Sequence, residues 1–599
     1  MTGKHAPKHS AENVRARNEE TLRRNAAFSF DEPTAQEDED TEEFSTGVIE
    51  TAGDSAQNSD SSDVDVSAKS VGSSALLISG CVIVSRITGF LRTLAMAFAL
   101  GSTALSSAYQ VANNLPNMLY EMAVGGIIVT AFLPVYVSTK KKLGAKGAND
   151  YASNLISLTI LFAGGISILC IIFSAQLIYT QSFLSDQSDM ETSVFFFRFF
   201  AIQILFYGLS AISSGILNAE RDYLWSSLAP VFNNLIVIAT FLMYAFISPT
   251  NPALALLIIA IGNPLGVFVQ MAVQIPAFKR NGIKIRFRVN IHDPAIRETL
   301  SIGVPAIIVM VGSYIIVSVQ NAIGYTAADN GPSVIAYARL WYTLPYAFLT
   351  VPITTAMFTE LSHMKAERNK KGFIEGVTGG TCQIIFFMIP MMLFLIVFSR
   401  ELATIYHTGA FTEDAIAQVA FYLAVLATSL PFYAVGTYLQ KTFSALRMVK
   451  QYAIMDIICI VVQIAFTYIF GVLVLAGSPY ALGAVAFGET VFFVLLDTSS
   501  FIFLHRKLGK LGLRRVAVTT VRSLALGALG AFVGATILYL LGAYVGPMGT
   551  SILRALTYTI IAGIPAVCVT YGIAVKKRLP EAQFVTNSVD RLVNKIRRR

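Results

Sequence analysis

The amino-acid sequence predicts an all-α integral membrane protein of fourteen transmembrane helices, arranged as two six-helix bundles related as parallel repeats plus two C-terminal helices. Three observations carry this: composition, the length of the apolar blocks, and the sign of charge in the connections between them. Of 599 residues, 54% are hydrophobic and only 14% charged, and mean hydropathy is +0.60. The apolar residues gather into blocks of about 20, the length a helix needs to cross a ~30 Å hydrocarbon core. Helices follow because a backbone in lipid must satisfy its polar groups within the segment. A transmembrane barrel would instead alternate over about 10 residues, a pattern this sequence lacks.

Residues 1–70 contain no apolar block. Lys4, Lys8, Arg15, Arg17, Arg23 and Arg24 precede an acidic run, Glu37 to Asp40 with Glu42 and Glu43, and a Ser/Asp-rich linker. Such composition cannot bury a core and is expected to form a disordered cytoplasmic tail. It is no secretory signal, which would place its apolar region within the first 15–30 residues. The apolar segments then run 73–100, 104–138, 152–180, 191–218, 223–247, 252–278, 299–324, 333–360, 374–399, 412–445, 451–475, 479–504, 516–545 and 550–575.

With the N-terminus inside, even-numbered connections are cytoplasmic and rich in Lys and Arg. The connection after segment 2 has Lys140, Lys141, Lys142 and Lys146, and that after segment 6 has Lys279, Arg280, Lys284, Arg286 and Arg288. Segment 8 is followed by Lys365, Arg368, Lys370 and Lys371, segment 12 by Arg506, Lys507, Lys510, Arg514 and Arg515, and the chain ends in Arg597, Arg598 and Arg599. Odd connections are nearly free of cations: 181–190 has none, and the one after segment 9 has only Arg400. An error of one segment would break the alternation. Both termini of this multi-pass membrane protein are therefore expected to face the cytoplasm.

An internal duplication is visible. Tyr207 to Arg221, ending Leu-Asn-Ala219-Glu-Arg221, recurs as Tyr433 to Arg447, ending Phe-Ser-Ala445-Leu-Arg447; Leu115-Pro116 recurs as Leu344-Pro345. Because six is even, such halves are parallel repeats about an axis along the membrane normal. The organisation is thus a tail (1–70), two six-helix lobes (71–290 and 291–510), a further helix pair (511–577) and a basic tail (578–599).

No phosphate-binding glycine loop, zinc motif or nucleophile elbow is present. The five cysteines, Cys81, Cys170, Cys382, Cys459 and Cys568, sit singly in apolar segments and read as small core residues. The chain is not expected to be an enzyme, to need a cofactor, or to bind nucleic acid.

The chemistry lies in charges inside the spans. Arg86 and Arg92 interrupt segment 1, where each charge costs about 2.5–3.5 kcal/mol unless it meets water or an anion. Ser79, Arg86 and Thr93 recur every seven residues, and Arg92 points roughly 120° away, toward a neighbouring helix. On segment 2, Gln110, Asn114, Asn117 and Glu121 fall within about 60° of one another. Arg339 shares a face of segment 8 with Thr343, Tyr346 and Thr350. A salt bridge to Glu121 is the competing assignment for Arg86 and Arg92, interhelical hydrogen bonding for the stripe, and snorkelling for Arg198 in segment 4. Arg offers phosphate two parallel donors, so cationic spans suit an anionic cargo. Pro116, Pro345 and Pro352, with Gly125 and Gly126 beside the stripe, supply kinks for a gate. The candidate substrate-binding residues are Arg86, Arg92, Asn114, Asn117, Glu121 and Arg339.

At these residues the chain resembles the MurJ (MviN) family of lipid II flippases in the MATE/MOP exporter superfamily, over residues 75–575. The matching stretches are Ser85-Arg86-x-x-Gly89-Phe90-x-Arg92, Leu115-Pro116-Asn117 with Ala131-Phe132-Leu133-Pro134, Gly215-Ile-Leu-Asn218 with Leu228-Ala-Pro230-x-x-x-Asn234, and Thr408-Gly409-Ala410-Phe411-Thr412. Tyr120-Glu121 stands where many members have two arginines, Ser107 where many have an acid, and Val124-Gly125-Gly126 where Ala-Glu-Gly is common; these variants resemble the actinobacterial branch. Arg339 is shifted by one position from the usual Asp-Arg pair, and the sodium site of some members has no clear match.

The resemblance implies export of the undecaprenyl-diphosphate-linked peptidoglycan precursor from inner to outer leaflet by alternating access, for cell-wall synthesis, with Arg86 and Arg92 on the diphosphate or sugar. Partners would be that precursor, membrane lipids, and cell-wall synthesis or division proteins. Each negative charge moved outward gains at most about 2.3 kcal/mol per 100 mV, so membrane potential or an ion gradient suffices without an ATPase. The alternatives are a flippase for another polyprenyl-linked glycan, a MATE-type multidrug antiporter using Glu121, Asp456 or Glu489, and a membrane glycosyltransferase or scaffold.

Overall fold

The computed structural model describes residues 61–122, 132–184, 190–478, 480–583 and 586, and these are helical with no strand among them. The helices are α1 (Ser61–Leu100), α2 (Ala104–Tyr120), α3 (Leu133–Ile172), α4 (Ser174–Tyr179), α5 (Met190–Phe200), α6 (Gln203–Ala219), α7 (Tyr223–Ile247), α8 (Pro252–Ala272), α9 (Ile275–Arg280) and α10 (Pro294–Ala327). They continue as α11 (Gly331–Pro345), α12 (Val351–Ala366), α13 (Lys370–Val397), α14 (Ser399–Thr404), α15 (Glu413–Ala427), α16 (Leu430–Ala445), α17 (Val449–Tyr468), α18 (Ala481–Leu508), α19 (Leu513–Tyr544) and α20 (Ile552–Lys576).

Ten of these runs are long and apolar enough to cross a membrane, and the pair α15–α16, bent by 49°, makes an eleventh. The predicted segments 104–138, 299–324 and 333–360 are helical where described, as α2, α10 and α11–α12, but fall outside that group. The boundary between segments 2 and 3 survives within α3 as a kink at Gly144, whose φ of 68° is left-handed. Residues 1–60 of the N-terminal tail, Gly125, Gly126 and the final arginines lie outside the described residues, as does the side chain of Ser79, whereas residues 61–70, expected to belong to the disordered tail, form the start of α1.

The duplication has structural counterparts. The helix run breaks at Ala201–Ile202, between α5 and α6, and again 227 positions on at Thr428–Ser429, between α15 and α16. A short helix follows α3 (α4), and another follows α13 (α14). Arg221 and Arg447, the last residues of the repeated motif, both sit in the left-handed region at φ 60° and 57°. Each closes the preceding helix with the same bond: Asp222 N donates to Leu217 O at 2.9 Å, and Met448 N to Phe443 O at 2.8 Å. This six-to-one closure usually takes glycine; holding arginine there costs on the order of 1 kcal/mol. After Pro116 and Pro345 the α-helices pass into π-helical turns, Glu121–Met122 and Tyr346–Thr350.

The two bundles meet along α10 and at one end. α10 bonds to the first bundle along its length: Tyr151 to Thr299 and Thr180 to Tyr314, both at 2.8 Å, and Asn321 Nδ2 to Gln181 Oε1 at 2.9 Å. At the end where α1 gives way to α2, three connections close on one another. Ser102 and Ser333 share a hydrogen bond of 2.8 Å, Tyr337 donates to Gly101 O at 2.9 Å, and Asn330 Nδ2 donates to Ser102 O at 3.2 Å. Ala410 N donates to Phe98 O at 3.0 Å. Glycine is required twice here. A Cβ on Gly101 would overlap the Ala410 carbonyl and one on Gly409 the Phe98 carbonyl, and both glycines have positive φ.

The last helix pair packs on the second bundle through small residues. α19 places Gly527 against Pro390 of α13, Gly530 against Thr570 and Ala566 of α20, and Gly534 against Phe398 and Ala566. Small residues at spacings of three and four let apolar helices approach closely in lipid. Four cysteines are buried, whereas Cys568 is exposed on α20. It stands on the outer surface with Ile560, Ile561 and Ile564, which corrects its assignment to the core.

Gly409→Ala is expected to lower stability by more than about 2 kcal/mol, since the left-handed penalty of about 1–2 kcal/mol is joined by a collision with backbone. Gly144→Ala, with open space around its Cβ, should cost the conformational penalty alone. Thermal midpoints of the two variants in detergent make the comparison.

Candidate functional site

The candidate site grows from α1 and its neighbours. α1 lies along α7, and Asn234 of α7 fixes it: Nδ2 donates to Ser85 O at 3.3 Å and to Thr88 Oγ1 at 3.1 Å. A Cβ on Gly89 would sit 3.7 Å from the same nitrogen, an ordinary contact, so α7 packs closely on α1 here without requiring glycine. The clip grips the turn that carries Arg86. Arg86 is exposed and has no ion pair or hydrogen bond among the described residues. The competing salt bridge to Glu121 is therefore not formed; Glu121 instead accepts from Asn117 Nδ2 at 3.4 Å. Thr93, one helical repeat on, turns its hydroxyl back to Gly89 O at 3.2 Å.

Arg92 points elsewhere, as its 120° offset predicts. It is half-buried and within electrostatic range of Tyr109 on α2 and Tyr207 on α6. Tyr207 in turn lies beside Tyr120, ring centres 5.7 Å apart. On α2, Asn114, Asn117 and Glu121 are exposed and Gln110 is half-buried, so the predicted stripe is one continuous face that the protein leaves uncovered. Gln110 Nε2 contacts Met96 Sδ at 3.3 Å, tying the top of the stripe to α1. Asn113, just off the stripe, accepts from Asn263 of α8. Asn113 is thus tied into the bundle, while Asn117 and Glu121 on the open face bond to each other.

Opposite, Phe90 of α1 meets Trp341 of α11 edge-on, ring centres 5.3 Å apart. This contact lies between Arg86 and Arg92 and joins the bundles at that level. Arg339 is differently placed. Its guanidinium forms an ion pair with Glu489 of α18, and Nη2 also donates to Gln320 Oε1 of α10 at 3.2 Å. Glu489 is 7% exposed against 38% for Arg339, and Gln320 Nε2 donates to the same carboxylate at 3.1 Å. The face read along segment 8 is interrupted, because the π turn falls within it and Thr350 is buried. Arg198 is exposed and donates from Nε to Ser174 Oγ at 3.2 Å, away from the stripe.

Sequence reasoning missed Gln320 and Trp341, and named Glu489 only as a carboxylate for a drug antiporter, not as the partner of Arg339. Glu489 lies 150 positions and Gln320 19 positions from Arg339, on other helices, and no spacing links them; Trp341 carried no signal beyond its size. Among the described residues no group of three or more His, Cys, Asp or Glu has the geometry to hold a metal ion.

Two helix bundles closed at one end, with a polar and cationic face between them, are the build of a multi-span membrane transporter. The family model described as "Lipid II flippase MurJ" matches residues 96–548, and the chain belongs to that family. It is 25% identical to a probable lipid II flippase MurJ of Rhizobium meliloti, over 59% of this chain and 66% of that one. It is 24% identical to a probable lipid II flippase MurJ of Rhizobium tropici, over 76% and 85%. Among solved structures, a lipid II flippase MurJ in an inward closed conformation aligns with TM-score 0.66 at 21% identity, over 83% of this chain and 99% of that one. An inward-facing multidrug resistance MATE transporter of the MOP superfamily aligns with TM-score 0.58 at 16% identity, over 73% and 98%. These likenesses establish the fold.

Arg339→Met is expected to destabilise the protein by about 3 kcal/mol, because Glu489 would be left as a buried charge with only Gln320 as partner. Arg339→Met combined with Glu489→Met should recover most of the loss. Arg86→Ala, which removes no partner, should leave the thermal midpoint unchanged. Equal shifts for the two single arginine variants would contradict this division.

Proposed function

We propose that this chain is a lipid II flippase, moving the undecaprenyl-diphosphate-linked peptidoglycan precursor from the inner to the outer leaflet for cell-wall synthesis. Family membership supports the cargo, and the observation that carries the mechanism is Arg86: an exposed guanidinium with no counter-ion among the described residues. A diphosphate entering the membrane must exchange its hydration for other donors, and Arg can supply two parallel N–H bonds. Arg92, backed by Tyr109 and Tyr207, and the amides of Asn114 and Asn117 extend the donor surface toward the sugar. Glu121 sits at its edge, where it discourages anions from binding beyond the arginines. Arg339, bound to Glu489, serves as a structural charge that holds α11 to α10 and α18.

On the orientation read from the basic connections, both termini are cytoplasmic and the joined serines lie at the outer face. The conformation is then sealed outward. Export requires that seal to part while the cytoplasmic side closes, with the paired π turns after Pro116 and Pro345 as bending points. Membrane potential favours outward transfer of the diphosphate. Glu489 is neutralised by Arg339, which disfavours a cationic cargo at that carboxylate.

In cells depleted of their own flippase, the wild-type chain should restore outward translocation of fluorescent lipid II. Arg86→Glu should reduce it at least tenfold with normal membrane levels, and Arg86→Lys should retain part of it. Failure of the wild type to complement would refute the function; full activity of Arg86→Glu would refute the role of that residue. Joining Ser102→Cys to Ser333→Cys by oxidation should arrest translocation, and reduction should restore it. Undiminished transport by the cross-linked protein would contradict opening at this end.

A further inference from the structure

A cavity of about 550 Å³ opens between the start of α13 and the connection from α18 to α19. Lys370, Lys371 and Glu375 line it from the first turns of α13, Lys510 from the connection, and Arg515 from the first turn of α19. Four cations thus face one carboxylate. Lys371, Lys510 and Arg515 make no ion pair among the described residues.

The connection is anchored rather than free. Gly509 ends α18 with a φ of 97°, and buried Leu511 pins the strand that follows. Gly512 N donates to Thr378 Oγ1 at 3.4 Å, and a Cβ on Gly512 would stand 2.8 Å from Thr378 Cγ2. The backbone therefore lies directly on α13 and holds charges from two distant parts of the chain around one space. Spreading basic residues over a solvated loop would satisfy topology alone; converging them on an anchored cavity raises their mutual repulsion and calls for an anion.

A second observation indicates where the anion comes from. Arg522 lies seven residues beyond Arg515, on the same face of α19 and about 10 Å further along it. It is exposed and has no counter-ion among the described residues. Its neighbours Val518 and Val521 are also exposed, as suits a hydrocarbon-facing surface. A cation there needs a phosphate at headgroup depth.

We infer that the cavity binds a phosphate group, supplied by an anionic lipid of the cytoplasmic leaflet whose acyl chains lie along α19. The site is distinct from Arg86 and its stripe and does not depend on the cargo assigned to them.

The test uses the full chain purified in detergent, with its thermal midpoint followed as phosphatidylglycerol, phosphatidylcholine or inorganic phosphate is added. Phosphatidylglycerol should stabilise the wild type, and K510Q/R515Q should need about 30-fold more lipid for the same shift. K284Q/R286Q, which removes two cations elsewhere, should respond like the wild type, and so should K510R/R515K, which keeps both charges. An identical lipid response in all four proteins, or an equal response to phosphatidylcholine, would overturn the site. So would loss of the response in K510R/R515K. Stabilisation of the wild type by inorganic phosphate alone, abolished in K510Q/R515Q and without lipid dependence, would uphold the phosphate site and overturn the lipid as its source.

Discussion

The cost of placing charge in hydrocarbon organises this protein. Each ionised side chain within a span has to find an opposite charge, a polar cavity, or the membrane surface, and the structure uses all three. Arg339 is neutralised internally by Glu489. Arg86 is exposed and has no partner among the described residues, and Arg198 remains at the exposed surface near Ser174. The difference separates arginines that hold the fold together from those available to a ligand. It also explains why the open face is polar over several turns: one guanidinium needs hydration, and the amides of α2 provide a wall that water can wet.

The second organising feature is duplication. The broken helices at Ala201–Ile202 and Thr428–Ser429, the short helices α4 and α14, and the left-handed arginines at 221 and 447 occupy corresponding positions. Yet the halves are unequal in chemistry. The first leaves its arginines open; the second encloses its own and carries the extra pair α19–α20 on α13. A shared frame with different side chains lets the two halves differ in chemistry, one with uncovered arginines and the other with an internal ion pair.

Much of this was legible in the sequence because it depends on period and sign. The α2 stripe obeys helical spacing, so Asn114, Asn117 and Glu121 could be placed on one face before any fold was known. The divergence of Arg92 from Arg86 follows from the same angle. Partnership across helices was not legible: 150 residues separate Arg339 from Glu489, and nothing local marks one as the other's counter-ion. Helix breaks were half-legible. Thr428–Ser429 precedes Pro431, which occupies the opening turn of α16 where its missing amide costs nothing. Ala201–Ile202 has no such marker. Cys568 shows a further limit. A residue facing lipid and one facing a protein core both sit among apolar neighbours, so composition alone does not distinguish them.

The closed end has one more consequence. Its contacts are made by serine and tyrosine hydroxyls, carboxamides, and main chain brought together by two glycines; among the described residues no ionised side chain makes one of these bonds. A latch of neutral dipoles is insensitive to ionic strength and to acidity across the range in which carboxylates and imidazoles titrate. On the proposed orientation this end faces medium the cell does not control, and the threshold for opening would be set by packing, leaving voltage and cargo as the variables that govern it.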